Sequence, residues 1–132
     1  MKHYHAVIWI DHEQAKVFSM NLAGAHDEWT VRPHDRHIHL HHKAGPIASA
    51  GKAPADKHYF HSVAEAVADA GEILIVGPGT AKSELRKHMQ EHDPKIAVKI
   101  VGVEPIDHPT DGELINYAKR FFGRADRMRP QL

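Results

Sequence analysis

The chain has 132 residues, enough for one ordinary domain, and 42% of them are hydrophobic, as expected for a protein with a buried interior. It contains no cysteine, which excludes disulfides, thiolate zinc sites and cysteine nucleophiles. Its 17 basic residues balance 17 acidic ones, so any contact with RNA requires a local basic patch. The 14 histidines are unusual, and mild acid would make the molecule cationic because the ordinary pKa of histidine is about 6.5.

The first third of the chain is predicted to form strands. Residues 4–11 are apolar on both alternating faces, which is typical of a strand in the middle of a sheet. A polar turn and a second β-rich run over 15–20 predict an antiparallel hairpin, and a third strand is expected between residues 29 and 42. Residues 43–55, rich in Gly, Ala, Pro, Ser and Lys, are predicted to be a mobile loop. The apolar run at 7–10 is too short for a signal peptide or a membrane span, so we expect a cytoplasmic protein with no membrane partner.

Helices and strands alternate in the remainder. A helix is predicted from Asp56 to Gly71, then a buried strand over 72–77, a helix from Thr80 to residue 93 and a strand over 95–103. A capping box at residues 110–113 begins a last helix that Gly123 is expected to close, followed by a basic flexible tail over 124–132. The predicted fold is therefore a single α/β domain over residues 1–123. Its mixed sheet has the order β-β-β-α-β-α-β-α, an RNase H-like arrangement.

Two groups of histidines are candidate metal ligands. In a strand, His37, His39 and His41 would project from one face, close enough to share a zinc or nickel ion. The alternative is an ordinary solvent-exposed strand. His88 and His92 are four residues apart on a predicted helix, but the residues between them lack the metalloprotease order, and packing at the margin of the core is favoured.

The loop at residues 77–82 follows a buried strand and begins a helix. Its backbone N–H groups and Lys82 could hold a phosphate, although a tight turn that needs glycine explains the same pattern. A two-metal nuclease would need several converging carboxylates, and Asp11 has no convincing partners because Asp107 and Asp111 suit turn and capping roles. Nuclease activity is therefore a minor alternative.

Three segments together resemble the middle domain of eukaryotic and archaeal class 1 peptide-chain release factors and of Pelota. They are Ala6-Val7-Ile8-Trp9-Ile10-Asp11 with its following hairpin strand, Lys57-His58-Tyr59-Phe60, and Ile73-Leu74-Ile75-Val76-Gly77-Pro78-Gly79-Thr80-Ala81-Lys82. The sequence looks still closer to the small bacterial translational machinery proteins related to that domain. The resemblance covers residues 4–122.

The resemblance implies a role in translation without catalysis. In release factors a loop after the third strand carries Gly-Gly-Gln and positions water for ester hydrolysis, whereas the equivalent residues 41–52 here contain no such motif. We therefore predict a protein that is not an enzyme, needs no cofactor and binds the ribosome or another structured RNA rather than DNA. The expected RNA-binding cations are Arg32, Arg36, Lys43, Lys52, Lys57 and Lys82. The alternative is a histidine-based metal-binding or pH-responsive protein.

Overall fold

The most apolar stretch of the chain, His5–Ile10, forms strand β1 at the centre of a five-stranded sheet. This computed structural model describes residues 5–20, 26–33 and 52–128, with the backbone alone for residues 26, 52–56 and 124–128. Every residue of β1 after His5 is buried, because the sheet is covered on both faces.

The sheet is mixed, with strand order β3-β2-β1-β4-β5. Strand β1 pairs antiparallel with β2, and β2 pairs antiparallel with β3. On its other side β1 pairs parallel with β4, and β4 pairs parallel with β5. The remaining strands are β2 (Ala15–Met20), β3 (His26–Val31), β4 (Glu72–Gly77) and β5 (Ile100–Pro105).

Helices cover the two faces of this sheet. They are α1 (Lys52–Ala66), α2 (Ala81–His92), the one-turn α3 (Pro94–Ala97) and α4 (Asp111–Met128). Helices α1 and α2 pack on the face that carries Ile8 and Ile10, where Tyr59 and Leu85 are fully buried. Helix α4 packs on the opposite face. Alternation of side chains along β1 therefore supplies both cores.

The structure confirms a single α/β domain with an open mixed sheet, the central position of β1, the β1–β2 hairpin and the buried parallel strand β4. Between β4 and β5 it adds α3, so the described elements follow the order β-β-β-α-β-α-α-β-α. Residues 95–97, predicted as strand, belong to α3 because Pro94 at its start has a backbone suited to a first helical turn.

Several predicted boundaries are wrong. Strand β3 begins at His26, before the predicted start at residue 29, and β5 occupies Ile100–Pro105 rather than residues 95–103. Helix α1 begins at Lys52 rather than Asp56, so residues 52–55 of the predicted loop are helical, while residues 43–51 lie outside the described residues. Alanines at 53 and 55 favour helix, and a proline at 54 is tolerated in a first turn, where no intrahelical N–H partner is needed. Helix α4 passes through Gly123 to Met128, so the predicted tail is helical over 124–128. A glycine inside a helix costs only about 1 kcal/mol relative to alanine.

In the part of the chain described here, none of the helices combines the length and the apolar character needed to cross a membrane.

Candidate functional site

The ends of β1, β3, β4 and β5 share one edge of the sheet, which we call the carboxyl edge. Strands β1, β4 and β5 run parallel, and β3 runs in the same direction because both β1 and β3 are antiparallel to β2. Helix α1 begins on this side as well, since the Tyr59 hydroxyl donates a hydrogen bond to the Asp11 carbonyl just beyond β1 (2.8 Å). Open α/β sheets usually bind ligands outside the carboxyl ends of their parallel strands.

The loop from β4 to α2 contains two glycines that the backbone requires. Gly77 has φ 150°, and a β-carbon built on it would lie 2.2 Å from the Ile10 carbonyl oxygen. Gly79 has φ 63°, in the left-handed region, with open space around it. The Gly77 carbonyl also accepts a hydrogen bond from the Ile106 N–H at 3.2 Å. The glycine at the end of β4 therefore allows the backbone to lie close to both neighbouring strands, β1 and β5.

The first turn of α2 is occupied by its own side chains. Thr80 makes no side-chain capping bond to the backbone; its hydroxyl donates to Glu84 Oε2 at 2.8 Å, and Glu84 Oε1 lies 3.1 Å from His12 Nε2. Partial burial acts to raise the pKa of Glu84, but the contacts with Thr80 and His12 outweigh it and lower this pKa below its ordinary value. Lys82 donates to the Gly79 carbonyl. An incoming phosphate would therefore meet an ionised carboxylate, and these contacts favour the tight-turn interpretation of the loop.

The carboxylates considered for a nuclease have separate structural roles. Asp11 Oδ1 accepts the N–H groups of Glu13 (2.8 Å) and Gln14 (2.9 Å) and so closes the β1–β2 turn. Asp111 Oδ1 lies 3.2 Å from Lys16 Nζ, and Asp107 Oδ1 lies 2.8 Å from Nδ1 of the adjacent His108. Nowhere in the described ranges do these three carboxylates gather into a metal-binding group.

The capping box predicted before α4 is present. The Thr110 N–H donates to Glu113 Oε1 at 2.9 Å, and the Glu113 N–H donates to Thr110 Oγ1 at 3.1 Å. The start of α4 is thereby fixed at the carboxyl edge.

The structure places some of the predicted RNA-binding cations near this edge. Arg32 is exposed just after β3 and its guanidinium donates to Gln14 Oε1 at 3.4 Å. Lys57 is exposed in the N-terminal half of α1, and Lys52 begins that helix. Arg36 and Lys43 lie outside the described residues. The two ends of the intervening segment thus meet the described structure on the same side of the sheet.

The three histidines of the predicted metal site, His37, His39 and His41, all lie outside the described residues. In the other histidine pair, the ring of His88 packs beside two other rings. Its centroid lies 5.7 Å from that of Phe60 and 4.5 Å from that of His92.

A second group of ligand-type side chains lies away from the carboxyl edge, where the end of α2 passes α1. One nitrogen from each of His61 and His88 and one carboxylate oxygen of Asp93 lie within 4.8 Å of one another. Sequence reasoning missed this group because His61 is 27 positions before His88 and Asp93 reads as a helix end. The only sequence signal was the spacing of His88 and Asp93 around the last turn of one helix.

Solved structures of other proteins share the fold of this chain. No family model matches the sequence, and no curated protein matches it. Pelota from Archaeoglobus fulgidus superimposes with a TM-score of 0.60 at 18% identity, over 91% of this chain and 32% of that protein. This chain has the fold of that part of Pelota.

Two further solved structures match less closely. Pelota from Thermoplasma acidophilum gives a TM-score of 0.57 at 17% identity, over 89% of this chain and 32% of its own. The archaeal translation termination factor aRF1 gives 0.49 at 14% identity, over 82% of this chain and 31% of its own. The chain therefore spans about a third of the length of each of these proteins.

Proposed function

We propose that this chain is a cytoplasmic, non-catalytic protein of the translation apparatus that binds ribosomal RNA or tRNA through the segment between β3 and α1. The observation that carries the proposal is the Pelota fold, which covers 91% of the chain. The three sequence segments that resemble the release-factor middle domain form β1 with its hairpin partner β2, part of α1, and β4 with the start of α2. The strand order β3-β2-β1-β4-β5 also supports the RNase H-like class, and the likeness to small bacterial translational machinery proteins is proposed from the sequence resemblance alone.

The proposed contact surface follows from where the segment 34–51 joins the fold. It leaves after Arg32 and returns at Lys52 and Lys57, and Arg36 and Lys43 belong to the same stretch of sequence. Phosphate contacts by arginine and lysine supply most of the affinity in RNA binding that does not depend on sequence. Acidic groups such as Asp11 and Glu84 occupy the neighbouring part of the carboxyl edge, so we place RNA contact on the segment and its ends rather than on the sheet itself.

The lack of catalysis follows from the sequence of the same segment. Hydrolysis of peptidyl-tRNA in the release factors depends on Gly-Gly-Gln, and residues 41–52 have no glutamine. With ribosomes carrying a labelled peptidyl-tRNA, we expect the protein to release no more peptide than buffer does. Release above that level would remove the non-catalytic part of the proposal.

Co-sedimentation with ribosomes across a potassium chloride series tests the binding. Each phosphate contact contributes roughly 0.7–0.9 to the slope of log affinity against log salt, so K43Q/K52Q should lower the magnitude of the slope by about 1.4–1.8 and weaken binding. The variant R32Q/K57Q, which alters two exposed cations of known position, should act in the same direction.

The matched control is K95Q/K119Q, which removes the same charge from exposed lysines on α3 and α4. We expect it to bind as the unmodified protein does. Binding that is insensitive to salt, or that K43Q/K52Q and K95Q/K119Q weaken equally, would refute the proposed surface.

A further inference from the structure

The group formed by His61, His88 and Asp93 lies where three helices meet. His61 is on the exposed side of α1, His88 is half-buried on α2, and Asp93 is the residue between α2 and α3. One potential ligand atom from each lies within 4.8 Å of the other two. The positions of Asp93 and His88 are fixed by the end of α2, where the Asp93 N–H donates to the Met89 carbonyl at 2.8 Å.

Two of the three side chains have buried polar atoms with no hydrogen-bond partner. These atoms are His88 Nε2 and Asp93 Oδ2. Such atoms are uncommon in folded proteins because they lose their contact with water without a replacement, so each calls for an explanation. A bound cation would supply the missing partner for both.

The Asp93 side chain does not cap the helix that follows it. An aspartate at a helix N-cap usually accepts a backbone N–H of the first turn, but Asp93 makes no such bond to α3. Its Oδ2 lies instead 3.8 Å from His61 Nδ1, too far for a hydrogen bond. The carboxylate therefore points into the group rather than capping the helix.

The outer contacts orient the two imidazoles. His61 Nε2 lies 3.2 Å from Glu65 Oε2, one helical turn along α1, and a carboxylate on one ring nitrogen leaves the other nitrogen available as a ligand. The ring of His88 packs against those of Phe60 and His92. Burial, followed by the proximity of His92, lowers the pKa of His88, which favours its neutral form. Metal ligation requires the neutral imidazole.

We infer that His61, His88 and Asp93 bind a divalent transition metal ion, with zinc as the best fit. Two imidazoles and one carboxylate are ligands that zinc takes readily, whereas calcium and magnesium prefer oxygen ligands alone. Tetrahedral zinc would draw the ligand atoms to roughly 3.3 Å from one another, and the exposed His61 side chain can turn to close the gap. Three protein ligands leave a fourth position for water or an external ligand.

Calorimetric titration with zinc chloride tests the site. It is carried out in a background variant in which the histidines at 37, 39 and 41 are replaced, so that they cannot bind the added zinc. The background variant H37Q/H39Q/H41Q should still bind one zinc ion per chain. Adding D93N or H88Q to it should weaken that binding by at least about tenfold, and adding E65Q should weaken it by a similar factor through the orientation of His61.

The matched control is H12Q, which alters an exposed histidine whose Nε2 also lies beside a carboxylate, Glu84 Oε1 at 3.1 Å, but which belongs to no three-ligand group in the described structure. It should leave zinc affinity unchanged. Circular dichroism checks that each variant is folded, and cobalt(II) provides a second readout, because a four-coordinate site gives a visible absorption band that D93N should abolish. Zinc binding that D93N and H88Q leave unchanged in the folded background variant, or that H12Q weakens as much as they do, would overturn the inference.

Discussion

Replacing Gly77 by alanine is expected to destabilise the fold severely, because the backbone of β1 approaches this residue closely and its φ angle is positive. The new β-carbon would lie 2.2 Å from the Ile10 carbonyl oxygen, so the backbones of β1 and β4 would have to separate by roughly 0.8 Å to restore a tolerable contact. Strand backbone cannot move aside as a flexible side chain can. Overpacking of this kind costs about 1–3 kcal/mol. Alanine at φ 150° adds about 1–3 kcal/mol of backbone strain.

The combined loss of about 2–6 kcal/mol is a large part of the 5–15 kcal/mol that stabilises a typical domain. Urea unfolding, followed by the fluorescence of the buried Trp9, should show a midpoint lower by roughly 1 M or more. Gly79→Ala is the matched control, since it also places alanine at positive φ but meets no atom within 4 Å. It should cost only about 1–2 kcal/mol. Equal losses for the two variants would show that the close approach to Ile10 does not govern this turn.

Three further predictions concern individual contacts. Thr80→Val removes a hydrogen bond to Glu84, so the pKa of Glu84 measured by NMR titration should rise, and an unchanged pKa would contradict the assignment. The stability that the lowered pKa of Glu84 provides is present above the ordinary value of 4.5 and is lost as the pH falls through the pKa of the folded state. Zinc at 100 times its dissociation constant should stabilise the protein by about 2.7 kcal/mol, raising Tm by about 10 °C in thermal scanning, and the same zinc concentration should raise the Tm of D93N by about half as much or less. Tyr59→Phe should cost about 1 kcal/mol in urea unfolding by removing the bond to the Asp11 carbonyl, and a variant as stable as the parent would count against that bond.

Much of the fold could be predicted from the sequence because local patterns agree with the final structure. The two-sided apolar run of β1 requires cover on both faces, and it lies at the centre of the sheet. The helical spacing of apolar residues located the buried Leu85 and Met89 on α2, and the capping box located the start of α4. Boundaries were predicted less well. Glycine and proline were read as stops, but Gly123 lies within α4, where packing on the sheet outweighs its low helix propensity.

The candidate sites were harder to predict because they depend on elements that are distant in sequence. The i,i+4 spacing of His88 and His92 drew attention to that pair, yet the residues that form a three-ligand group with His88 are Asp93, just beyond the helix, and His61 on another helix. Likewise the pattern within α2 gives no indication of a partner for Glu84, to which the hairpin turn brings His12.

By itself the sequence determined that β1 and β4 are buried strands, where most helices and strands lie, and that residues 41–52 lack Gly-Gly-Gln, because each of these depends on neighbours along the chain. Tertiary structure alone decided that β1 stands between an antiparallel and a parallel neighbour, and that three helices bring two imidazoles and a carboxylate together. Such groupings depend on how elements pack across the sheet, and a periodic pattern within one element carries no information about its partner.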